Sequence, residues 1–262
     1  MAVPLTHPPS TLLRFPKPPL WGAPYMGACL AVFCLVLLSG TTVAQDTTVA
    51  RNMGMFFPTP WEDDPWNLSL GFLTYTTPQD LTEEVRVRVP AADIHVLRRL
   101  YKGFYLDGRL LVQGVQNHLS VGARWATPLN DRFTFSLGDD VAYWRGHLPI
   151  QGFDCRASGW MNYPNVSLGF RSRHDLLFTL KAQMLITTST AFTIEGNRRA
   201  FDTDVVSGSA FSLYMEQPFF KKSSITLGFT LAYTDFLWAT WSLFETFDRN
   251  LLYPQITTGL IL

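Results

Sequence analysis

The stretch from Asn117 to Trp144 alternates apolar side chains with polar or small ones at a period of two residues. The apolar positions are Leu119, Val121, Ala123 and Trp125 before a turn, and Phe133, Phe135 and Leu137 after it. The turn is the cluster Thr127-Pro128-Leu129-Asn130-Asp131. A period of two is the repeat of a β-strand, so the stretch predicts an antiparallel hairpin with one apolar face.

The same alternation recurs from Trp66 to Leu262 and predicts about ten strands, with eight and twelve as the limits. Each predicted strand has about nine to thirteen residues, which is the length that a tilted strand needs to cross a bilayer. Short connections alternate with long ones, as in an up-and-down barrel that has one short-turn end. The short connections are 127–131, 172–175 and 218–223, and the long ones are 146–159, 189–205 and 237–250. Residues 91–100 carry apolar residues at helix-like spacing and predict a helical turn or an irregular connection.

The first residues have the pattern of a secretory signal peptide. Arg14 and Lys17 precede an apolar run from Ala28 to Leu38, and small residues then lead to Ala44. The run is shorter than the ~20 residues that a membrane-spanning helix needs. We therefore predict a signal peptide over 1–44, a periplasmic lead-in or short plug over 45–65, and a barrel over 66–262.

Charge and cysteine content exclude several classes of function. Without Arg14 and Lys17 the chain keeps 21 − 2 = 19 basic residues against 21 acidic ones, a net charge of −2, which argues against a nucleic-acid partner. After the signal segment Cys155 is the lone cysteine, so neither a disulfide nor a thiolate metal site is predicted, and we place it in a flexible loop. The loop acids Glu195, Asp202 and Asp204 lack the spacing of a calcium loop. No metal and no cofactor are predicted.

Strand parity divides the charged and aromatic residues between the two faces. The charged residues predicted to line the lumen are Glu84, Arg86, Arg88, Asp107, Arg109, Arg124, Lys181 and Glu216. They either line a narrow polar pore or pair with one another inside a barrel too small to conduct. The aromatic residues near strand ends, which fit the girdles at the two interfaces of a bilayer, are Trp66, Tyr75, Trp125, Tyr143, Trp144, Tyr163, Tyr233, Trp238 and Tyr253.

Together, the signal peptide, the alternating strands, the tight turn at 127–131 and the apolar last strand resemble bacterial outer-membrane β-barrel proteins. This resemblance implies an all-β, transmembrane, antiparallel up-and-down barrel in the outer membrane. Its partners would be outer-membrane lipid and, during insertion, the barrel-assembly machinery. Such barrels often end in Phe or another aromatic residue, whereas this chain ends in Leu262. We predict a non-enzymatic role in envelope structure, adhesion or the passage of small solutes.

Two alternatives stay open at this point. His118-Leu119-Ser120 is similar to the His-x-Ser pair of the lipid A deacylases, in which His serves as base to a nucleophilic Ser. Those enzymes present the pair on the lipid side, whereas His118 and Ser120 share the parity of Gly122 and Arg124, away from lipid. The other alternative is a secreted β-sandwich, in which the apolar face is a dry core.

Overall fold

The computed structural model describes residues 54–58, 66–78, 88–150, 153–172, 176–199, 204–220, 223–243 and 249–262. Within these ranges the regular structure is almost entirely β-strand, as alternation over the whole chain predicts. The strands are β1 (Trp66–Thr76), β2 (Arg88–Tyr101), β3 (Phe104–Gln113), β4 (Gln116–Pro128), β5 (Phe133–Ile150), β6 (Phe153–Arg171), β7 (Leu177–Ile194), β8 (Asn197–Arg199), β9 (Val206–Phe220), β10 (Ser223–Thr234) and β11 (Leu251–Ile261). A short 3-10 helix, Trp238–Leu243, lies between β10 and β11.

Ten of the described strands form the wall of one closed barrel. Neighbours along the chain pair antiparallel from β1 to β7, and β7 then pairs with β9, β9 with β10 and β10 with β11. Pairing of β1 with β11, for example Gly71 opposite Gly259, closes the sheet on itself. The short β8 pairs with the end of β7. The predicted antiparallel up-and-down barrel of ten strands is confirmed, and the β-sandwich alternative is wrong because a single closed sheet replaces two packed ones.

Exposure across the wall is the reverse of that in a water-soluble protein. On β4 the side chains of Leu119 and Val121 are 50% and 49% exposed, whereas His118 and Ser120 are 4% and 8% exposed. An apolar outer surface around a polar interior is typical of a barrel that faces hydrocarbon. Among the described residues, no helix is both long enough and apolar enough to cross a membrane.

The two ends of the barrel differ. At the end where β1 starts and β11 finishes, which we call the terminal end, tight turns connect β2 to β3 and β4 to β5. At the far end β5, β6 and β7 have 18, 19 and 18 residues, against 10 for β3. The predicted loop over 146–159 is wrong, because β5 runs to Ile150 and β6 begins at Phe153. Much of the predicted loop over 189–205 is likewise strand, in β7 and β8.

The β5–β6 hairpin continues beyond the apolar outer surface. The rings of Tyr143 and Trp160 pack together on its outer face with centroids 5.0 Å apart. Beyond this pair the outward side chains become polar, and exposed Asp154 bonds to His147 Nε2 at 2.8 Å and to Arg156 Nη2 at 3.2 Å. We call residues 145–158 the projecting hairpin. Its polar outer face is suited to water rather than to lipid.

Residues 91–100 belong to strand β2, so the predicted helical turn or irregular connection is wrong. Pairing with β1 on one side and with β3 on the other satisfies the backbone of this segment. Asp93, His95 and Leu97 are buried inside the barrel, whereas Ile94 points outward. The apolar residues have a helix-like spacing because Leu97 lies in the lumen and Ile94 lies on the lipid side. The same alternation places the side chain of Arg88 on the outer face.

Candidate functional site

The middle of the lumen contains a cavity of about 110 Å³, which we call the central chamber. The charged and histidine side chains that line it are His95, Asp107, Arg109, His118, Arg124, Asp140 and Lys181. Phe56 borders the chamber towards the terminal end, and Phe236, Leu237 and Trp238 border it towards the far end. Apolar side chains of the wall, such as Leu111, Met161 and Leu185, also line the chamber, so its wall is part charged and part apolar, with an apolar boundary at each end.

The boundary near the terminal end is the segment 54–58, whose backbone binds Glu216 inside the barrel. The carboxylate accepts hydrogen bonds from the backbone N–H groups of Met55 at 2.7 Å, Phe56 at 3.1 Å and Phe57 at 2.8 Å. The Phe56 ring also stacks on Tyr214 with centroids 3.8 Å apart. A fully buried carboxylate is stable only when it is well bonded, and these three donors supply that bonding.

The charged groups of the chamber wall are paired with one another. Asp107 bonds to His95 Nε2 at 2.7 Å and to the guanidinium of Arg124. Arg109 donates two hydrogen bonds to Asp93, of 2.9 and 2.6 Å, in the bidentate geometry that suits a guanidinium and a carboxylate. Pairing of this kind reduces the cost of desolvating each charge.

A third ion pair and a hydrogen bond to the segment 54–58 complete the wall. Lys181 Nζ lies 3.7 Å from Asp140, a longer contact than in the other two pairs. Arg124 has a further role, because its Nη1 donates to the carbonyl oxygen of Met55 at 3.1 Å. Arg124 therefore connects the charged wall to the segment 54–58.

The boundary towards the far end is residues 236–243, which we call the aromatic closure. Trp238 stacks on His118 with centroids 4.6 Å apart, and the carbonyl oxygen of Ala239 accepts a hydrogen bond from Gln116 Nε2 at 2.9 Å. The Trp241 ring lies so close to Gly146 that a Cβ at that position would collide with it. Residues 237–243 of the predicted connection over 237–250 therefore fold into the barrel rather than away from it.

The predicted lumen residues divide into three groups. Asp107, Arg109, Arg124, Lys181 and Glu216 lie in the barrel interior. Arg88 is exposed on the outward parity of β2, so its assignment to the lumen is wrong. Glu84 and Arg86 lie outside the described residues. Asp93, His95 and Asp140 also face the interior. Asp93 and His95 were not predicted to do so, because residues 91–100 were predicted to form a helical turn or an irregular connection.

Two further predictions concern Cys155 and the acidic residues of the loops. Cys155 is fully buried in β6 among the aromatic residues of the far end, so its assignment to a flexible loop is wrong. Of the loop acids, Glu195 and Asp204 are described and Asp202 is not. Within the described ranges, no group of three His, Cys, Asp or Glu side chains could hold a metal ion.

Five of the nine residues predicted for the aromatic girdle lie inside the barrel. The outward and exposed members are Trp66, Trp125, Tyr143 and Tyr233. The buried members are Tyr75, Trp144, Tyr163, Trp238 and Tyr253, so their assignment to the lipid interface is wrong. Around the aromatic closure the inward positions are apolar too, because they pack on its rings.

His118 and Ser120 face the interior and bond to other groups. His118 Nε2 lies 3.1 Å from the hydroxyl of Tyr163, and the hydroxyl of Ser120 donates to the carbonyl oxygen of Arg109 at 3.4 Å. A Ser nucleophile needs its base within hydrogen-bond reach and its substrate at the same surface. In this arrangement the Ser120 hydroxyl bonds to the backbone, and both side chains point away from the acyl chains of the bilayer.

No protein-family model matches the sequence, and no curated protein matches it. Among solved structures, the KdgM porin is 10% identical, with 74% of this chain and 97% of that chain covered and a TM-score of 0.36. The translocator domain of the autotransporter NalP from Neisseria meningitidis is 10% identical, with 90% and 94% covered and a TM-score of 0.39. An active-site mutant of outer membrane phospholipase A from Escherichia coli is 10% identical, with 82% and 94% covered and a TM-score of 0.35. The fold described above rests on the strand pairing of this chain itself.

Proposed function

We propose that this chain is an integral outer-membrane protein whose barrel is a closed anchor and whose projecting hairpin acts in envelope structure or adhesion. The observation that carries the proposal is the closure of the lumen on both sides of the central chamber. The segment 54–58 lies on one side and the aromatic closure on the other. The apolar outer wall supports membrane insertion, since lipid-exposed strands must satisfy their backbone groups within a closed sheet.

The strength of the aromatic closure supports a lumen that stays shut. Trp238 and Trp241 are both buried, and burying a large apolar side chain stabilises by about 3 kcal/mol. Gln116 Nε2 and the Tyr75 hydroxyl also donate to the Ala239 carbonyl oxygen, at 2.9 and 3.3 Å. Displacing the aromatic closure would expose both rings and break these bonds, so open states are rare at equilibrium.

A non-enzymatic role agrees with the surroundings of His118 and Ser120. The His118 imidazole bonds to Tyr163 and the Ser120 hydroxyl to the backbone of Arg109, and neither side chain faces lipid. Replacing His118 by Ala is therefore expected to leave the acylation pattern of lipid A unchanged. A loss of acyl chains that depends on His118 would instead support the lipid hydrolase alternative.

The closed lumen can be tested by electrical recording. We expect purified wild-type protein in planar bilayers to show no stable conductance steps, because both boundaries of the central chamber are in place. Heat-modifiable migration of the same preparation on a gel verifies that the barrel is folded. Steady open steps from folded wild-type protein would contradict the proposal.

Gated passage of small polar solutes is the second candidate, and the central chamber favours it. Charged side chains line part of the chamber, and Ala210 and Ala232 line it with little bulk. We expect Ala210→Phe to fill the chamber and abolish any slow solute entry into protein-containing liposomes. Uptake by wild-type liposomes above that of empty ones, lost in Ala210→Phe, would favour passage. Uptake equal to that of empty liposomes leaves the closed anchor as the function.

A further inference from the structure

A carboxylate lies on the outer, lipid-facing surface of the barrel. Asp139 has the outward parity of β5 and is exposed. Its neighbours on the same face of β5, Leu137 and Val141, are 48% and 46% exposed. Asp139 therefore interrupts an apolar surface and does not contribute to the charged wall of the central chamber.

Asp139 lies well inside the apolar band and not at its edge. Phe133 starts β5 at the terminal end, and Tyr143 pairs with Trp160 where the outer face becomes polar. At about 3.3 Å of rise per residue, Asp139 is roughly 20 Å along the strand from Phe133 and roughly 13 Å from Tyr143. Among the described residues, the other outward side chains at this depth are uncharged, being apolar or the neutral polar residues Ser, Thr and Asn162.

The neighbouring strand adds two further unusual residues at the same place. Asn162 donates from Nδ2 to Asp139 Oδ2 at 3.3 Å, and Pro164 lies directly opposite Asp139 in the β5–β6 ladder. Pro164 has no backbone N–H, and the β6–β7 ladder passes from Asn162 to Asn165 without pairing the two residues between them. We call Asp139, Asn162 and Pro164 the polar patch.

A polar patch at this depth is costly in a lone barrel. Charged side chains in the lipid-facing band destabilise a barrel most near the bilayer midplane, although less for Asp than for Arg or Lys. Within the described part of the chain, the Asp139 carboxylate accepts this one long hydrogen bond from Asn162 and is otherwise exposed on the outer face. An ionisable residue inside a membrane is for this reason treated as a functional site, with a partner that compensates it.

We propose that the polar patch is the centre of an interface with a second copy of this chain. A two-fold axis along the membrane normal places equal depths opposite each other, and each patch combines an acceptor, Asp139, with a donor, Asn162. Each Asn162 amide can then bond to the Asp139 carboxylate of the other copy. A self-complementary pair of this kind specifies a second copy rather than a lipid, whose hydrocarbon offers no donor at this depth.

The shape of the surrounding wall suits close approach of two sheets. The outward side chains beside the polar patch include Ala123, Val141 and Val166. These side chains are small or β-branched and project only a short distance from the sheet. Close packing matters because barrels in lipid gain no hydrophobic burial on association and depend on van der Waals contact and hydrogen bonds. The proposal rests on the membrane location proposed above.

Cysteine cross-linking in intact outer membranes tests the interface. Val141→Cys, beside the polar patch, is expected to yield a product of twice the monomer mass with a short bis-maleimide. Leu227→Cys, which is equally outward but on β10, is the matched control and is expected to stay monomeric. Native Cys155 is fully buried in the lumen and gives the background. Heat-modifiable migration verifies separately that each variant is in a folded barrel, so a failure of membrane insertion is distinguished from a failure of dimerisation.

Removal of the Asp139 carboxylate gives a second measurement. It is expected to weaken the dimer without destabilising the monomeric barrel. Asp139→Leu in the Val141→Cys background is expected to lower the cross-linked fraction at least tenfold while the heat-modifiable barrel keeps or gains stability. Thr258→Leu, which removes an outward hydroxyl on β11, is expected to change neither. Three outcomes would overturn the proposal: a folded Val141→Cys variant that stays monomeric, a product whose mass does not match two copies, or cross-linking that Asp139→Leu leaves unchanged.

Discussion

Replacing Arg124 by Met is expected to lower the free energy of unfolding by about 3–5 kcal/mol, the typical cost of removing one partner of a buried ion pair. The substitution leaves Asp107 in the interior with His95 as its remaining partner in the wall. It also removes the hydrogen bond from Arg124 to the carbonyl oxygen of Met55. Met occupies a similar volume, so the loss reflects charge and hydrogen bonding rather than a cavity.

Lys181→Met is the matched control for Arg124→Met. Lys181 is also a lumen cation that faces a carboxylate, but its 3.7 Å contact with Asp140 is longer and both groups are more exposed. We expect its cost to be smaller than that of Arg124→Met, because the longer contact contributes less and Asn165 Nδ2 still donates to Asp140 at 3.1 Å. Unfolding in urea, followed by the shift between folded and unfolded migration on a gel, measures both variants. Equal losses for the two would contradict the ranking of the two pairs.

The barrel could be predicted from the sequence because hydrocarbon outside and polar groups inside impose the same period of two on every wall strand. On β4 each outward residue is apolar and each inward one is polar or small, from His118 to Trp125. Parity alone therefore placed Asp107, Arg109 and Arg124 on the inward face. Their pairing partners could not be predicted, because cross-strand register is a property of the whole closed sheet.

The far half of the barrel could not be predicted, because alternation disappears where both faces of a strand are apolar. Tyr75 and Trp144 face the aromatic closure, so the inward positions there resemble the lipid-facing ones. The projecting hairpin was interpreted as a loop because Gly146 and Pro149 lie within its strands. One feature of the sequence could have indicated this arrangement. The aromatic residues of 237–243 need apolar partners, and the inward-facing aromatic residues of the strands supply them.

The boundary near the terminal end had no sequence pattern at all. The backbone N–H groups of Met55, Phe56 and Phe57 bind Glu216, and backbone groups are the same in every sequence. Glu216 was predicted to face the lumen as one charge among several. Its role as the acceptor of three consecutive N–H groups depends on a contact between residues some 160 positions apart.

Glu216→Leu is expected to release the segment 54–58 from the lumen. The substitution removes three charge-assisted hydrogen bonds, each worth about 1.5–3 kcal/mol, and leaves three N–H groups that only water can satisfy. Hydrogen bonds to one carboxylate are not additive, and a loss of about 3 kcal/mol corresponds to a roughly 100-fold larger released population. A Met55→Cys reporter is buried in the docked segment, so its rate of labelling by a polar maleimide measures this population.

Two variants separate the carboxylate from its surroundings. Glu216→Gln keeps one acceptor oxygen and is expected to raise labelling less than Glu216→Leu does. Thr226→Val removes the hydroxyl 3.3 Å from Glu216 Oε1 but none of the backbone donors, and is expected to leave labelling nearly unchanged. Unchanged labelling in a folded Glu216→Leu barrel would mean that other contacts, such as Phe56 on Tyr214, hold the segment.

Release of the segment 54–58 also separates the two boundaries of the central chamber. Trp238 of the aromatic closure stacks on His118 and Trp241 lies against Gly146, whereas the Glu216 carboxylate bonds to the backbone of 55–57 and to Thr226. In the Met55→Cys background we therefore expect Glu216→Leu to be labelled rapidly at the reporter thiol yet to stay non-conducting in planar bilayers, because two boundaries in series must both open before ions pass. Conductance in this variant would show that the segment alone closes the lumen and that the aromatic closure leaks.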